Sequence, residues 1–275
     1  MAEIHKYTDY DLVGRSRVDP NTALANSDGL LIGRGAIRGA SVVHKFGRNA
    51  TVPNGSWAGI LDSAAQFPWL TAASAVRIKA SGNAADNGAA SPLQAGAWTV
   101  TIQGLSATGV EQSETVTALG ASASAPTQKT FLRVYRAWVA TSGTYTGVNT
   151  GNIVIETTGG TALIRITAGE GQTQFGAYTI PLGKVGYLTS VVVQVDGLKP
   201  ADFRLFTRAN CTTVTAPFTA KRLKYYWDGV TDVSTVKPKT PILTLPALTD
   251  IWMEAYGSGA ITQATANMEI ILFDA

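Results

Sequence analysis

The residues that could carry chemistry in this 275-residue chain are few and scattered. The stretch GGTALIRITAGEGQTQFGAYTIPLGKVGYLTS, residues 159–190, gathers glycines with Glu170 and Lys184 and so raises the question of a phosphate-binding loop. Such a loop needs G-x-x-x-x-G-K-[ST] between a strand and a helix, because the helix N-terminus supplies the dipole and the fan of N–H donors. Here Ala-Tyr-Thr-Ile follows Gly176 where Lys and Ser/Thr should stand, and Gly183-Lys184 runs into Val-Gly-Tyr, a strand pattern. The stretch reads as architecture. In IPLGK, Pro181 fixes φ and Gly183 takes a positive φ in a tight turn.

Nucleophilic catalysis would have to use His5 or His44, the two imidazoles. They lie far apart in sequence, and no G-x-S-x-G elbow occurs. Cys211, the single cysteine, rules out an intrachain disulfide and reads as a small buried apolar residue. Two isolated histidines and one cysteine do not make a metal site. Glu111 and Glu114 lie an odd distance apart on one strand and face opposite sides, so they cannot form a glycosidase pair by themselves, though a distant Asp or Glu could join either one. The expectation is a protein that is not an enzyme, with no cofactor and no metal.

The elements around these residues are strands. WTVTIQGL (98–105) alternates Val100 and Ile102 against Thr99, Thr101 and Gln103, and VEQSETVTAL (110–119) returns as its hairpin partner. NIVIET and TALIRIT flank Gly159-Gly160 as a second hairpin. FLRVYRAWVA, YLTSVVVQVDG, DFRLFTRA, RLKYYW, DIWMEAYG and NMEIILFDA bring the total to roughly ten, with no amphipathic run of helical length. This spacing predicts an all-β protein, an antiparallel β-sandwich of jelly-roll type. SGNAADNGAASPLQAG (81–96) reads as an exposed loop, and residues 53–75 as a loop or decorated edge. Residues 1–45 lack a sustained period and read as an extended N-terminal arm with at most a turn of helix. Its short apolar patch is Leu30, Leu31 and Ile32. The body would be residues 46–275, as one sandwich or as two stacked units with a sub-boundary near 169–173.

Charged residues make up only 15% of the chain, and the polarity comes from Thr, Ser, Gly, Asn and Gln. Such surfaces suit large protein contacts, where hydroxyls and amides are cheaper to bury than charges. A net charge of +3 without clusters argues against nucleic acid. No apolar run approaches the ~20 residues of a membrane span, and the N-terminus has no signal-peptide core, so assembly in a cytoplasm is expected.

Partner contacts centre on two regions. VVHKFGRN brings His44, Lys45, Phe46 and Arg48 together where the arm meets the body. This is either an anchor, with Phe46 buried on a partner and Arg48 on a carboxylate or backbone oxygens, or the start of a core strand whose charges face water. Trp98, Trp138, Trp227 and Trp252 lie in strand-like runs and suit the core, while Trp57 and Trp69 lie in the irregular segment and suit an interface. Arranged in a groove, the tryptophans would instead make a sugar-stacking platform.

The succession VHKFGRN, AVRIKASGNAADNG, WTVTIQGLSATGVEQSETVTALGAS, TFLRVYRAWV, GNIVIETTGGT, AGEGQTQFGAYTIPLGKVGYLT and APFTAKRLKYYWDG resembles a group of tailed-bacteriophage virion structural proteins, frequent among phages of aquatic bacteria. The resemblance covers roughly residues 40–230 and carries no catalytic signature. It implies a place in the virion. Joined to the residue reading, it leads to the expectation of a capsid decoration (cement) protein on the capsid surface. That protein would bind the major capsid protein, associate with itself as a homotrimer, and contact neither nucleic acid nor membrane. A tail or fibre-adaptor component and a glycan-binding host-adhesion module are the alternatives.

Overall fold

The computed structural model describes residues 28–62, 66–80, 83–196, 199–236, 243–259 and 262–275. Among them are one short helix, α1 (Asp28–Gly33), and seventeen strands. The strands β1 (Ala40–Val52), β2 (Trp57–Gly59), β10 (Ala177–Thr179), β11 (Lys184–Val195), β12 (Ala201–Arg208), β13 (Arg222–Val230), β14 (Val233–Val236), β15 (Leu243–Leu245), β16 (Asp250–Gly257) and β17 (Thr262–Asp274) build two facing sheets. One has the order β1-β17-β11-β14, with β15 also on β11; the other has the order β10-β16-β12-β13, with β2 also on β16. β2 and β10 pair with opposite ends of β16, and β14 and β15 with opposite ends of β11, so each pair occupies one strand position. With those pairs merged, the chain visits its positions in the orders 1-8-3-6 and 2-7-4-5, all antiparallel, which is the jelly roll expected from sequence.

Period-two alternation fixes which side chains fill this sandwich. Val191, Val193 and Val195 on β11 and Ala264, Ala266, Met268 and Ile270 on β17 are buried from one sheet. Phe203 and Leu205 on β12 and Ile251, Met253 and Ala255 on β16 are buried from the other.

A second β unit is inserted within the position that β2 and β10 share. It comprises β3 (Ser74–Lys79), β4 (Ala97–Leu105), β5 (Glu111–Thr117), β6 (Thr130–Phe131), β7 (Arg133–Ser142), β8 (Ile153–Thr157) and β9 (Ala162–Ile166). These form the sheets β6-β3-β8-β9 and β5-β4-β7. Both hairpins read from sequence, β4–β5 and β8–β9, are present, with Gly160 at φ 87° in the second turn. The two units share one buried hydrophobic cluster.

The chain therefore crosses between units twice, once between β2 and β3 and again near 169–173. At the second crossing it pairs along β7, through Val139 N–H to Gly171 O and Thr173 N–H to Ala137 O. The arm–body boundary set at 45/46 falls inside β1, whose residues from Ala40 onward already pair with β17. Ile32 of α1 is buried against its own chain and Leu31 is half-buried, so this part is not an extended arm. Residues 1–27, the rest of the expected arm, and the side chain of Leu30 lie outside the described residues. The IPLGK turn is as expected, closed by Lys184 N–H to Pro181 O with Gly183 at φ 76°.

Candidate functional site

The insert's β7 lies against the side of the jelly roll where β1 and β10 run, and the buried charges Lys45, Arg133 and Asp250 gather there. Alternation along β1 turns Lys45, Gly47 and Asn49 inward and leaves His44, Phe46 and Arg48 on the outer side. Of the two readings of VVHKFGRN the strand is present, but Lys45 and not Phe46 is the side chain turned inward. Lys45 is 3% exposed, and its ammonium donates to the Tyr135 carbonyl and lies 5.7 Å from the Tyr135 ring centre and 5.9 Å from that of Phe175. Burial, aided by the nearby Arg136 guanidinium, holds the Lys45 pKa well below the usual lysine range. Phe46 is only half-buried, Arg48 donates to Gln263 of β17 at 3.0 Å, and the His44 carbonyl accepts from Arg136. Gly47 permits the close approach of strands here, since a Cβ would stand 2.3 Å from Ile60 O and 2.4 Å from Gly176 N.

Lys45 borders a cavity of about 490 Å³ that also touches Glu111, Tyr135, Arg136 and Tyr178. The Tyr135 hydroxyl donates to Glu111, and the Tyr135 and Tyr178 rings meet edge to face at 4.8 Å. Burial first, then the neighbouring phenol and carboxylate, raises the Tyr135 pKa; burial and Glu111 raise that of Tyr178. Both therefore stay neutral phenols. Glu114 accepts the Gln128 and Lys129 N–H groups at 2.8 and 2.9 Å, so the two glutamates do separate work.

Next to this cavity, Asp250 on β16 is fully buried and takes five hydrogen bonds. Arg133 of the insert gives two, at 3.0 and 3.1 Å; Arg208 gives two, at 3.2 and 2.6 Å; and Thr179 gives one at 2.7 Å. Arg133 spends its remaining donors on the carbonyls of Leu70, Leu132 and Cys211. A buried carboxylate with every lone pair taken is a bolt between units. Cys211 is buried as expected, and burial, with Asp250 adding to it, pushes its thiol up to about 11.

The outer face of the β12–β16 pair carries four cross-strand rungs: Asp202–Tyr256, Arg204–Glu254, Phe206–Trp252 and Arg208–Asp250. Trp57 of β2 lies under the Arg204 guanidinium at 3.9 Å, and Trp69 packs edge to face on Trp252 at 5.4 Å. Trp57 and Trp69 are both half-buried in contacts with their own chain. Trp227 and Trp252 are core residues as expected, whereas Trp98 and Trp138 are half-buried.

Sequence reasoning missed Asp86. The loop read as exposed holds this residue fully buried, accepting N–H groups from Ala97, Thr150 and Gly151 at 2.7–2.8 Å. The one local signal was an Asp set among Asn83, Asn87 and Gly88. Among the described residues, no group of three or more His, Cys, Asp or Glu side chains stands close enough to hold a metal, and no helix is long and apolar enough to cross a membrane.

No protein-family model matches the chain, and no curated protein matches it. Among solved structures, the infectious bursal disease virus VP2 subviral particle is 9% identical over 85% of this chain and 72% of that one, with a TM-score of 0.24. The structure of the Gt strain of the same virus is 12% identical over 86% of this chain and 73% of that one, with a TM-score of 0.22. Similarity this slight carries no weight beside the strand pairing itself.

Proposed function

We propose that the chain is a non-enzymatic virion structural protein of a tailed bacteriophage, a capsid decoration protein that binds the major capsid protein as a homotrimer. The observation that carries this reading is the apolar surface left along the outermost strand of one sheet. β13 pairs only with β12 among the described residues. Leu223 and Tyr226 on it, and Phe218 just before it, are each about half exposed. An open strand edge with large apolar side chains is a liability in a solitary protein and an asset in an assembly. Tyr145, fully exposed at a loop tip of the insert, offers a second anchor of the type that dominates interface energetics. Jelly rolls serve capsids, lectins and cupins alike, so the fold supports the reading without deciding it. The resemblance of the strand and turn succession to phage virion proteins supports it as well.

The test is immunogold electron microscopy of intact virions with an antibody to residues 40–275, joined to quantitative blotting. Gold spread over the heads, at hundreds of copies per particle, is the expected result. Gold confined to tails would overturn decoration in favour of an adaptor role, and virions lacking the protein would overturn the virion reading altogether.

A further inference from the structure

On the outer face of the β12–β16 pair, between the segments around residues 66–70 and 219–221, lies a cleft of about 340 Å³. That volume falls at the small end of ligand pockets, which run from about 300 to 1,000 Å³. Phe67, Trp69 and Trp252 give it aromatic walls; Arg208, Lys221 and Glu254 give it charge. We propose that this cleft binds an acidic saccharide, one or two rings of a uronate-containing glycan.

The charge balance points to an anion. Two buried carboxylates, Asp250 and Glu254, meet four cations: Arg133 and Arg208 on the first, Arg204 and Lys221 on the second. Positive charge is left over at the cleft. Lys221 is the mobile part of that excess: its side chain is half exposed, its ion pair with Glu254 is a loose 3.7 Å, and it rests 4.3 Å from the Phe206 ring centre. Its ammonium donors are open to a ligand carboxylate.

The aromatic walls and Glu254 point to a sugar. A carboxylate has roughly four lone-pair sites. Arg204 donates to Glu254 Oε2, and Trp252 Nε1 donates to Oε1 at 2.9 Å. Oε1 has lone-pair capacity beyond Trp252, and Lys221 stands 3.7 Å from it, so a ligand hydroxyl donating to Oε1 would lie beside the Lys221 ammonium. A hydroxyl donor and a carboxylate on one ring, with an apolar side to rest against the exposed part of Trp69, describe a uronate; Trp252, 4% exposed and stacked on Phe206, backs that wall. An inorganic anion would have no use for the tryptophans. Trp69, singled out from sequence as a contact residue, thereby gains an occupant.

The full chain would be titrated with a hyaluronan tetrasaccharide, followed by tryptophan fluorescence and calorimetry. A neutral N-acetylglucosamine tetramer and tetraglutamate serve as comparisons. The hyaluronan fragment is expected to bind and to shift Trp fluorescence, with both comparisons at least about tenfold weaker. Lys221→Gln, at an exposed position, should weaken the acidic sugar about tenfold, the order set by one charge-assisted hydrogen bond. It should leave thermal unfolding unchanged. No binding of the acidic fragment, equal binding of the neutral one, or indifference to Lys221→Gln would each overturn the assignment. Tetraglutamate binding as tightly as the sugar would overturn it in favour of a peptide ligand. None of these outcomes touches the virion reading, which rests on β13.

Discussion

Asp250→Asn tests whether the insert and the jelly roll are held by the buried ion network. The substitution keeps the side chain's shape and removes its charge. Arg208 is 24% exposed at its side chain and can turn to water. Arg133 is 4% exposed and cannot. It keeps its carbonyl partners, but its charge is left buried and uncompensated. Stranding one member of a buried ion pair costs about 3–5 kcal/mol, a large part of the ~5–15 kcal/mol that holds a domain together. At about 2–4 °C per kcal/mol for a chain of this size, the melting temperature should fall by roughly 10 °C. Arg133→Met alone leaves Asp250 with Arg208 and Thr179, so it should cost less. The double substitution removes the stranded charge, and its cost should fall short of the two single costs added together by at least ~1.5 kcal/mol. Urea unfolding of the four proteins measures this directly. Costs that add within about 0.5 kcal/mol would show that Arg133 and Asp250 do not work as a pair, and the account of the junction would fail.

Lys45 predicts a pH signature. Its folded pKa is lowered, so from that value up to about 10.4 the unfolded chain holds more protons than the folded one, and stability rises with pH through that window. Lys45→Met lacks this term, so the wild-type chain should gain on the variant in urea midpoint as pH climbs from neutrality toward 10; a flat or shrinking difference refutes the assignment. Gly47→Ala would drive a Cβ to 2.3 Å from Ile60 O, a backbone atom that cannot step aside, so soluble expression should collapse or stability fall by more than the ~1–3 kcal/mol of ordinary overpacking; a melting point within a few degrees of wild type would count against the strand contact. Asp86→Asn turns an amide donor toward the Gly151 or Ala97 N–H and should cost about 1–3 kcal/mol, read from urea midpoints, with no change meaning that the loop is not pinned there.

The fold class was legible because period-two alternation is local. Val100 and Ile102 on β4, and the valines of β11, declare their buried face without reference to anything distant. What stayed hidden depends on contacts far along the chain. Nothing in VVHKFGRN tells that a strand from residues 133–142 will cover it, and that cover decides that Lys45 goes inside while Phe46 stays half out. The insertion was half visible: a sub-boundary near 169–173 was open in the sequence as the seam of two stacked units, but the other crossing lay in the segment set down as irregular. Asp86 was missed for the same reason, since two of its three N–H partners sit at residues 150 and 151. For the cleft, sequence could mark Trp69 as unusual, but Lys221, just ahead of β13, and Glu254 on β16 come together only because both strands pair with β12.

The placement of the insertion bears on how the protein can assemble. A jelly roll has four sheet edges, two on each side. Here the β1 and β2/β10 edges lie on the side where β7 packs, with Arg136 on the His44 carbonyl and the Asp250 network tying the units together. The chain has closed that side with its own residues, at the cost of burying Lys45 and Arg133. The β13 side received no such cover among the described residues and keeps Leu223 and Tyr226 toward solvent. One side of the sandwich is thus closed by the chain itself, while the other carries the β13 edge and the β14/β15 edge. In the proposed trimer this open side would supply the self-contacts and the capsid contact, whereas a molecule open on both sides could go on adding copies.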